Sequence, residues 1–372
     1  MAPVTRRSSL PGWPQAVRTY ASLCLLSVLW QPVVGFAEAK ANPEAPQSPA
    51  APAAAPRDGQ HDFDFGEGTW HTHIVRSLDP FDNKSPSIEL DGTVSSRKVW
   101  GGRAWLEQIQ ADGPKGHWQA LSLFLYNPKA HQWSQSFINS KVGVLGTPFV
   151  GSFKDGRGEL FCQDTYKDKS ILVRALWSNI TADAHRYQEF FSDDGGKTWR
   201  LSFTANKTRI PVSEVRPVPQ VANDFDFDAG AWKLHTSRLL KPLTGSTQWM
   251  EADGRVVVTK LWDGSANLSE IHTDYPTGPV DFLALRWYNP VARQWFLDFA
   301  TAAGGQLGIP AAGEFKDGRV DFYDQEDLDG KAILVRFSIW PTSQKTARSE
   351  QAFSPDGGKT WEVNFRTQYT RG

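Results

Sequence analysis

From Asp62 onward the chain is written twice. Phe191-Ser192-Asp193-Asp194-Gly195-Gly196-Lys197-Thr198-Trp199 returns, displaced by 162 residues, as Phe353-Ser354-Pro355-Asp356-Gly357-Gly358-Lys359-Thr360-Trp361. The same displacement pairs Phe63 with Phe225, Trp70 with Trp232, His73 with His235, Arg76 with Arg238, Trp100 with Trp262 and Asn127-Pro128 with Asn289-Pro290. It also carries Phe153–Arg157 onto Phe315–Arg319 and Ile171–Arg174 onto Ile333–Arg336, without a gap. A register held over such a length marks a duplicated domain, because solenoid units recur every ~20 to 50 residues. The 372 residues thus divide into two domains at 61–210 and 224–372, joined by the proline-bearing stretch 211–223.

Each copy alternates with a period of two. Trp199, Leu201, Phe203 and Ala205 alternate with Arg200, Ser202 and Thr204, and Trp361, Val363 and Phe365 alternate with Glu362, Asn364 and Arg366. The Asp-Gly-Gly segments supply the positive-φ residues of a tight turn, so each nonapeptide reads as a hairpin between two strands. Turn signals in the first copy separate strands near 68–76, 92–100, 104–110, 119–126, 132–139, 149–153, 158–163, 171–178, 186–191 and 199–206. About ten short strands per copy, with no helical segment between them, predict an all-β protein of two tandem antiparallel up-and-down barrels. Of 16 Trp, seven fall in each copy, and rings at that density need an interior to fill.

The segment before the repeats reads as an export signal at 1–39. Arg6, Arg7 and Arg18 form a basic start, Tyr20–Trp30 an apolar run and Ala37-Glu38-Ala39 a small-residue cleavage site. The Arg-Arg pair lacks the Phe usual in a twin-arginine signal, so the general secretory route to the periplasm or exterior is expected. Removal of this signal would leave no integral membrane segment. An Ala/Pro-rich linker follows at 40–60. Cys162 would then be the single cysteine left, which rules out an intrachain disulfide and a cysteine metal cluster. A net charge of -1 without basic clusters gives no reason to propose nucleic acid as a partner.

Gly68-Thr69-Trp70 and Gly230-Ala231-Trp232 open the first strand of each copy, and Arg209 and Arg371 follow the last. This arrangement resembles the calycin superfamily, in which a G-x-W on the first strand is covered by an arginine from the end of the barrel. That resemblance implies an indole plugging a closed end, with a guanidinium stacked on it and bonded to nearby carbonyls. The Asp-Phe-Asp-Phe start, the Asn-Pro turn, Phe-Lys-Asp-Gly-Arg and Asp-Gly-Gly-Lys-Thr-Trp resemble a bacterial calycin-like family of unknown function, which brings no catalytic residues to carry over. Ser192-x-Asp194-x-Gly196-x-Thr198-Trp199 is also similar to the Asp-box of sialidase-type propellers. Propeller blades repeat every ~40 to 50 residues, however, and the box here occurs once per 162. A G-x-W start also resembles nitrobindin-like haem barrels. Those continue with a glycine where His71 and Lys233 stand, and with no proximal histidine near the C-terminal strands no haem is expected.

Parity nominates the site residues. Arg76 and Arg238 share the face of Trp70 and Trp232, where each could meet an anionic group or serve in a structural ion pair. Glu189 and its counterpart Gln351 fall with Phe191 and Phe353 toward the interior. A desolvated carboxylate there could act as a base, but the Glu/Gln exchange argues against one acid/base mechanism in both copies. With Trp100 and Trp262 these six form the candidate ligand-binding set. His71 and His73 could hold a metal from one side of a strand, but Lys233 breaks that pair in the second copy and surface histidines are expected. Cys162 has no histidine constellation and reads as an inert thiol. No cofactor or metal is expected. The functional expectation is non-catalytic binding of a small apolar or amphipathic ligand in barrel cavities. The alternatives are a periplasmic hydrolase or lyase using Glu189, Arg76 or Arg186, and a structural module whose filled barrels pack as a pseudo-dimer.

Overall fold

The computed structural model describes residues 58–211, 224–302 and 304–371. The expected export signal lies outside these residues, as do all but the last residues of the 40–60 linker and nearly all of the 211–223 joint. Among the described residues no helix is long and apolar enough to cross a membrane.

Two closed antiparallel barrels of ten strands each stand in tandem. The first comprises β1 (Gly68–Ser77), β2 (Ser87–Val99), β3 (Ala104–Asp112), β4 (Trp118–Asn127), β5 (Gln132–Asn139), β6 (Phe149–Lys154), β7 (Arg157–Tyr166), β8 (Lys169–Ser178), β9 (Ala184–Ser192) and β10 (Arg200–Arg209). The second comprises β11 (Gly230–Leu239), β12 (Trp249–Leu261), β13 (Ala266–Tyr275), β14 (Gly278–Asn289), β15 (Gln294–Thr301), β16 (Ala311–Lys316), β17 (Arg319–Leu328), β18 (Lys331–Pro341), β19 (Thr346–Ser354) and β20 (Glu362–Thr370). Each strand pairs with its neighbours in sequence, and β1 closes on β10 as β11 closes on β20. The meander follows from its turns. Asp155-Gly156 and Asp317-Gly318 hold φ of 51° and 72°, and 51° and 77°, the left-handed pair that a two-residue hairpin demands.

One expectation of parity fails at the last strand. The register of β10 against β9 shifts between Leu201 and Phe203, so Leu201 turns out to solvent while Ser202 is buried. A bulge inserts one residue and reverses the alternation beyond it. Downstream of the shift Ala205 and Lys207 are the buried residues.

A short turn, Asp64–Gly66, and its Phe63 and Phe65 plug one end of the first barrel. Phe63 meets Phe124, Phe153, Trp133 and Trp177 at ring-centre distances of 4.7 to 5.3 Å. The second barrel repeats the plug with Phe225 against Trp295 and Phe315.

The barrels pack against each other through one shared apolar core. Val99, Trp100, Leu121, Leu123 and Leu125 meet Leu261, Trp262, Leu283, Leu285 and Trp287 there. This explains why β4 and β14 are buried along most of their length: one face fills a barrel and the other fills the joint. Reciprocal loop contacts complete the joint. Gly143, between β5 and β6, offers its carbonyl to Trp287 Nε1 at 3.0 Å and Asn289 Nδ2 at 3.1 Å. Its repeat partner Gly305 offers its carbonyl to Ser134 Oγ at 2.6 Å and lies against Asn127. Both glycines hold φ of 63°, and a Cβ on either would come within 2.6 Å of the facing asparagine. The joint is thus self-complementary, as in a two-fold dimer, but built within one chain.

Candidate functional site

The closed end of each barrel is organised by a Trp–Arg stack. Trp70 donates Nε1–H to the Gly66 carbonyl at 2.7 Å, and the Arg209 guanidinium lies 4.1 Å from its ring centre. Arg209 also donates to the carbonyls of Ala182, Glu67 and Phe65. In the second copy Trp232 donates to the Asp228 carbonyl at 2.6 Å, and Arg371 stacks at 4.1 Å and donates to the Phe227 carbonyl. Gly68 makes room for this arrangement: its φ is 119°, and a Cβ there would sit 2.6 Å from Arg209 Nη1. Gly230 does the same for Arg371, at φ 105° and 3.1 Å.

Deeper in, the copies diverge. The first barrel buries a Lys207–Glu107 pair at 2.8 Å, whereas the second buries Arg286–Asp228 at 2.6 Å, on positions that hold Phe124 and Gly66 in the first. Burial drives the Asp228 carboxyl above its usual range against the opposing pull of Arg286. His185, beside Trp70, is held neutral by burial, with Lys207 and Arg209 adding to it; its pKa is pushed down to about 2. Beside Phe63, Trp105 and Trp177 a gap of about 10 Å³ remains, too little for a ligand. The interior of the second barrel holds about 80 Å³, lined by Leu234, Ile271, Phe282, Phe299, Phe337 and Tyr369 among others.

The larger space lies to the side. β5 pairs with β6 over Trp133–Gln135, and β15 with β16 over Trp295–Leu297; beyond those points each pair of strands parts. The loops that follow, 140–148 and 304–310, are the ones that cross to the other barrel. Together they bound a cavity of about 710 Å³ lined from both barrels. Its walls include Leu145, Phe296, Phe299, Leu307, Phe322 and Phe337, and it shares Leu297, Phe299, Phe337 and Gln351 with the smaller interior space. Its polar lining includes Ser136, Gln163, Asp298, Thr301, Asp324 and Glu326. Asp298 accepts from the Phe299 amide at 2.7 Å, yet burial pushes its pKa up to about 7 against the Gly308 and Phe299 amides. Asp324 is also pushed up to about 7, first by burial and then by the charges of Glu326 and Asp298. These groups exchange protons near neutrality. Cys162, which lines the cavity from the first barrel, is pushed up to about 12 by burial and stays a thiol.

The residues nominated by parity are dispersed by the fold. Gln351 lines both cavities. Glu189 takes the Tyr187 hydroxyl at 2.6 Å and is raised by burial, with Arg76 pulling the other way. Arg76 is exposed on β1, and Arg238 is half-buried near Tyr275. Trp100 and Trp262 lie in the joint between barrels, each at positive φ, with Arg103 stacked 4.7 Å from Trp100. Arg186 bonds Asn206 at an exposed site. His73 and His235 each bond an aspartate of the next strand, Asp91 at 3.0 Å and Asp253 at 2.8 Å. Parity nominated neither Asp298 nor Asp324. The available signal was a pair of internal exchanges, Ser136 to Asp298 and Cys162 to Asp324, each adding a carboxylate where the first copy has a neutral group.

Fold and site together define a tandem antiparallel-barrel protein with a cavity shared between its barrels. No family model and no curated protein sequence matches the chain. Among solved structures it is similar to a protein of unknown function from the DUF3598 family of Nostoc punctiforme, 11% identical over 85% of this chain and 100% of that one, with a TM-score of 0.25. It is also similar to a Nitrosomonas europaea protein provisionally described as an AttH, 8% identical over 87% of this chain and 100% of that one, with a TM-score of 0.15.

Proposed function

We propose that this is an exported, non-catalytic carrier of a small apolar or amphipathic ligand, built from two calycin-like barrels. The calycin grouping is supported by the Trp–Arg stack at the closed end of each barrel. The observation that carries the binding reading is the cavity of about 710 Å³, largely apolar with a few polar groups. That size and lining suit a small-molecule pocket, for which ~300 to 1,000 Å³ is usual. The first barrel's ring-filled closed end shifts the expected binding place from a barrel interior to the side cavity. Native mass spectrometry of purified full-length protein tests the reading: a co-purifying small molecule is expected, lost when Leu307→Trp fills the cavity. Failure of apolar fluorescent probes to bind the intact protein, together with no co-purifying mass, would reject it.

A hydrolase or lyase is the second reading, and the raised Asp298 and Asp324 favour it because an acid and a base near pKa 7 could share one site. It requires turnover that disappears in both D298N and D324N.

A further inference from the structure

We propose that the cavity between the barrels selects an ammonium group carried on an apolar body, with Asp298 and Asp324 as its counter-ions and Ser136 as a further acceptor. This rests on the binding reading above and names the chemistry of its ligand.

Three observations point to a cation that donates hydrogen bonds. Among the described residues, the charged side chains lining the cavity are Asp298, Asp324 and Glu326, and none of those lining it is a lysine, arginine or histidine. An anionic ligand would enter a low-dielectric space with like charges on its wall and no counter-ion, which costs several-fold more than water does. The second observation is unmet bonding capacity. Asp298 is 6% exposed and Ser136 2% exposed, and Asp298 Oδ2, Ser136 Oγ and Asp324 Oδ1 are buried without a hydrogen-bonding partner among the described residues. Ionised carboxylates accept only, so the ligand must bring donors, and an ammonium brings them with the complementary charge.

The third observation comes from the duplication. Ser136 and Asp298 are equivalent positions of the two copies, as are Cys162 and Asp324, and all four line this one cavity. The first barrel closes with serine and cysteine there, so the barrel architecture does not need the acids. Buried, unpaired carboxylates oppose folding. Asp298, buried, and Asp324, half-buried with one oxygen enclosed, both in the second copy, are explained by something that enters the cavity and neutralises them. Among the described residues, the titrating groups that line the cavity with Asp298 and Asp324 are each other, Glu326 and Cys162. As pH rises through neutrality the aspartates lose protons while an alkylammonium keeps its own, so affinity for the cation rises with pH.

The test compares decylammonium, decanol and decanoate on the intact chain by titration calorimetry, below their micelle concentrations, at about pH 5.5 and about pH 8. Decylammonium is expected to bind at least about tenfold more tightly than the other two at the higher pH, and to lose most of that preference at the lower. Asp298→Asn with Asp324→Asn should remove the preference, bringing decylammonium to within about twofold of decanol. Should that pair fold poorly, Asp298→Ser, which restores the first barrel's residue, should halve or more the preference. Equal or tighter binding of decanol or decanoate at about pH 8 would overturn the ammonium assignment and leave a binding protein. Absence of binding by all three would overturn both.

Discussion

At the residue scale the strongest determinants are groups whose ordinary state the fold alters. Arg209 spends its guanidinium on one indole face and three carbonyls, a geometry that needs its planar fork. Arg209→Ala should destabilise the first barrel by about 1–3 kcal/mol in urea unfolding, and Arg209→Lys should recover less than half, since an ammonium cannot both stack and bridge. Asp298 gives a pH prediction of definite sign. Its folded pKa of about 7 lies above the ordinary carboxylate value of 3.8, so the folded chain holds a proton that the unfolded chain has released. Stability therefore falls as pH rises from about 4 to about 7 and levels off above, by at most about 4 kcal/mol for three units of pKa. Asp298→Asn should unfold at a higher temperature than the parent at about pH 8, with the gap closing near about pH 4, as followed by calorimetry. A gap unchanged with pH would show that Asp298 is ordinary. Neither residue was equally visible beforehand: Arg209 stands at the end of a strand pattern, while Asp298 sits in an unremarkable Phe-Leu-Asp-Phe run. Its burial comes from a loop folded over it.

At the element scale the repeated hairpin explains its own sequence. Ser192 Oγ donates to Asp194 and accepts from the Gly196 amide, and Asp194 takes the Thr198 amide at 2.9 Å and hydroxyl at 2.7 Å. Ser354, Asp356, Gly358 and Thr360 repeat that network. These donors favour the charged form, so both carboxyls lie well below the usual range, Asp356 at about 2. Their contribution is present above the ordinary carboxylate pKa and is lost only as pH falls through the depressed one. Asp194→Ala should release the Gly196 and Thr198 amides to faster hydrogen exchange while leaving β11–β20 unchanged; equal protection in both forms would refute the network. The hairpin was readable because all its partners lie within seven residues. The bulge in β10 was not, because its cause is how β10 must lie against β9 to close the barrel.

At the scale of the whole molecule, the joint between barrels decides what the protein can hold. Gly143 and Gly305 lie flat on the asparagines of the opposing Asn-Pro turns, and side chains there would force the surfaces apart. Gly143→Val with Gly305→Val should raise the radius of gyration in small-angle scattering and abolish probe binding in the side cavity, while far-ultraviolet dichroism keeps its strand signal. An unchanged radius would show that the joint tolerates the added bulk. By itself the sequence determined what repeats and what alternates: two copies, ten strands in each, and hairpin turns, while the Trp–Arg pair at one end was implied by a resemblance. Those are local patterns or fixed displacements, and a chain carries them whatever its neighbours do. Tertiary structure alone decided where the empty space lies and which charges face it. Strand closure filled the barrel ends with rings, the parting of β15 from β16 opened a wall, packing of one copy on the other roofed the gap, and the loop carrying Gly308 stripped water from Asp298. Desolvation belongs to surfaces brought together from distant parts of a chain, and no reading of neighbours along the sequence contains it.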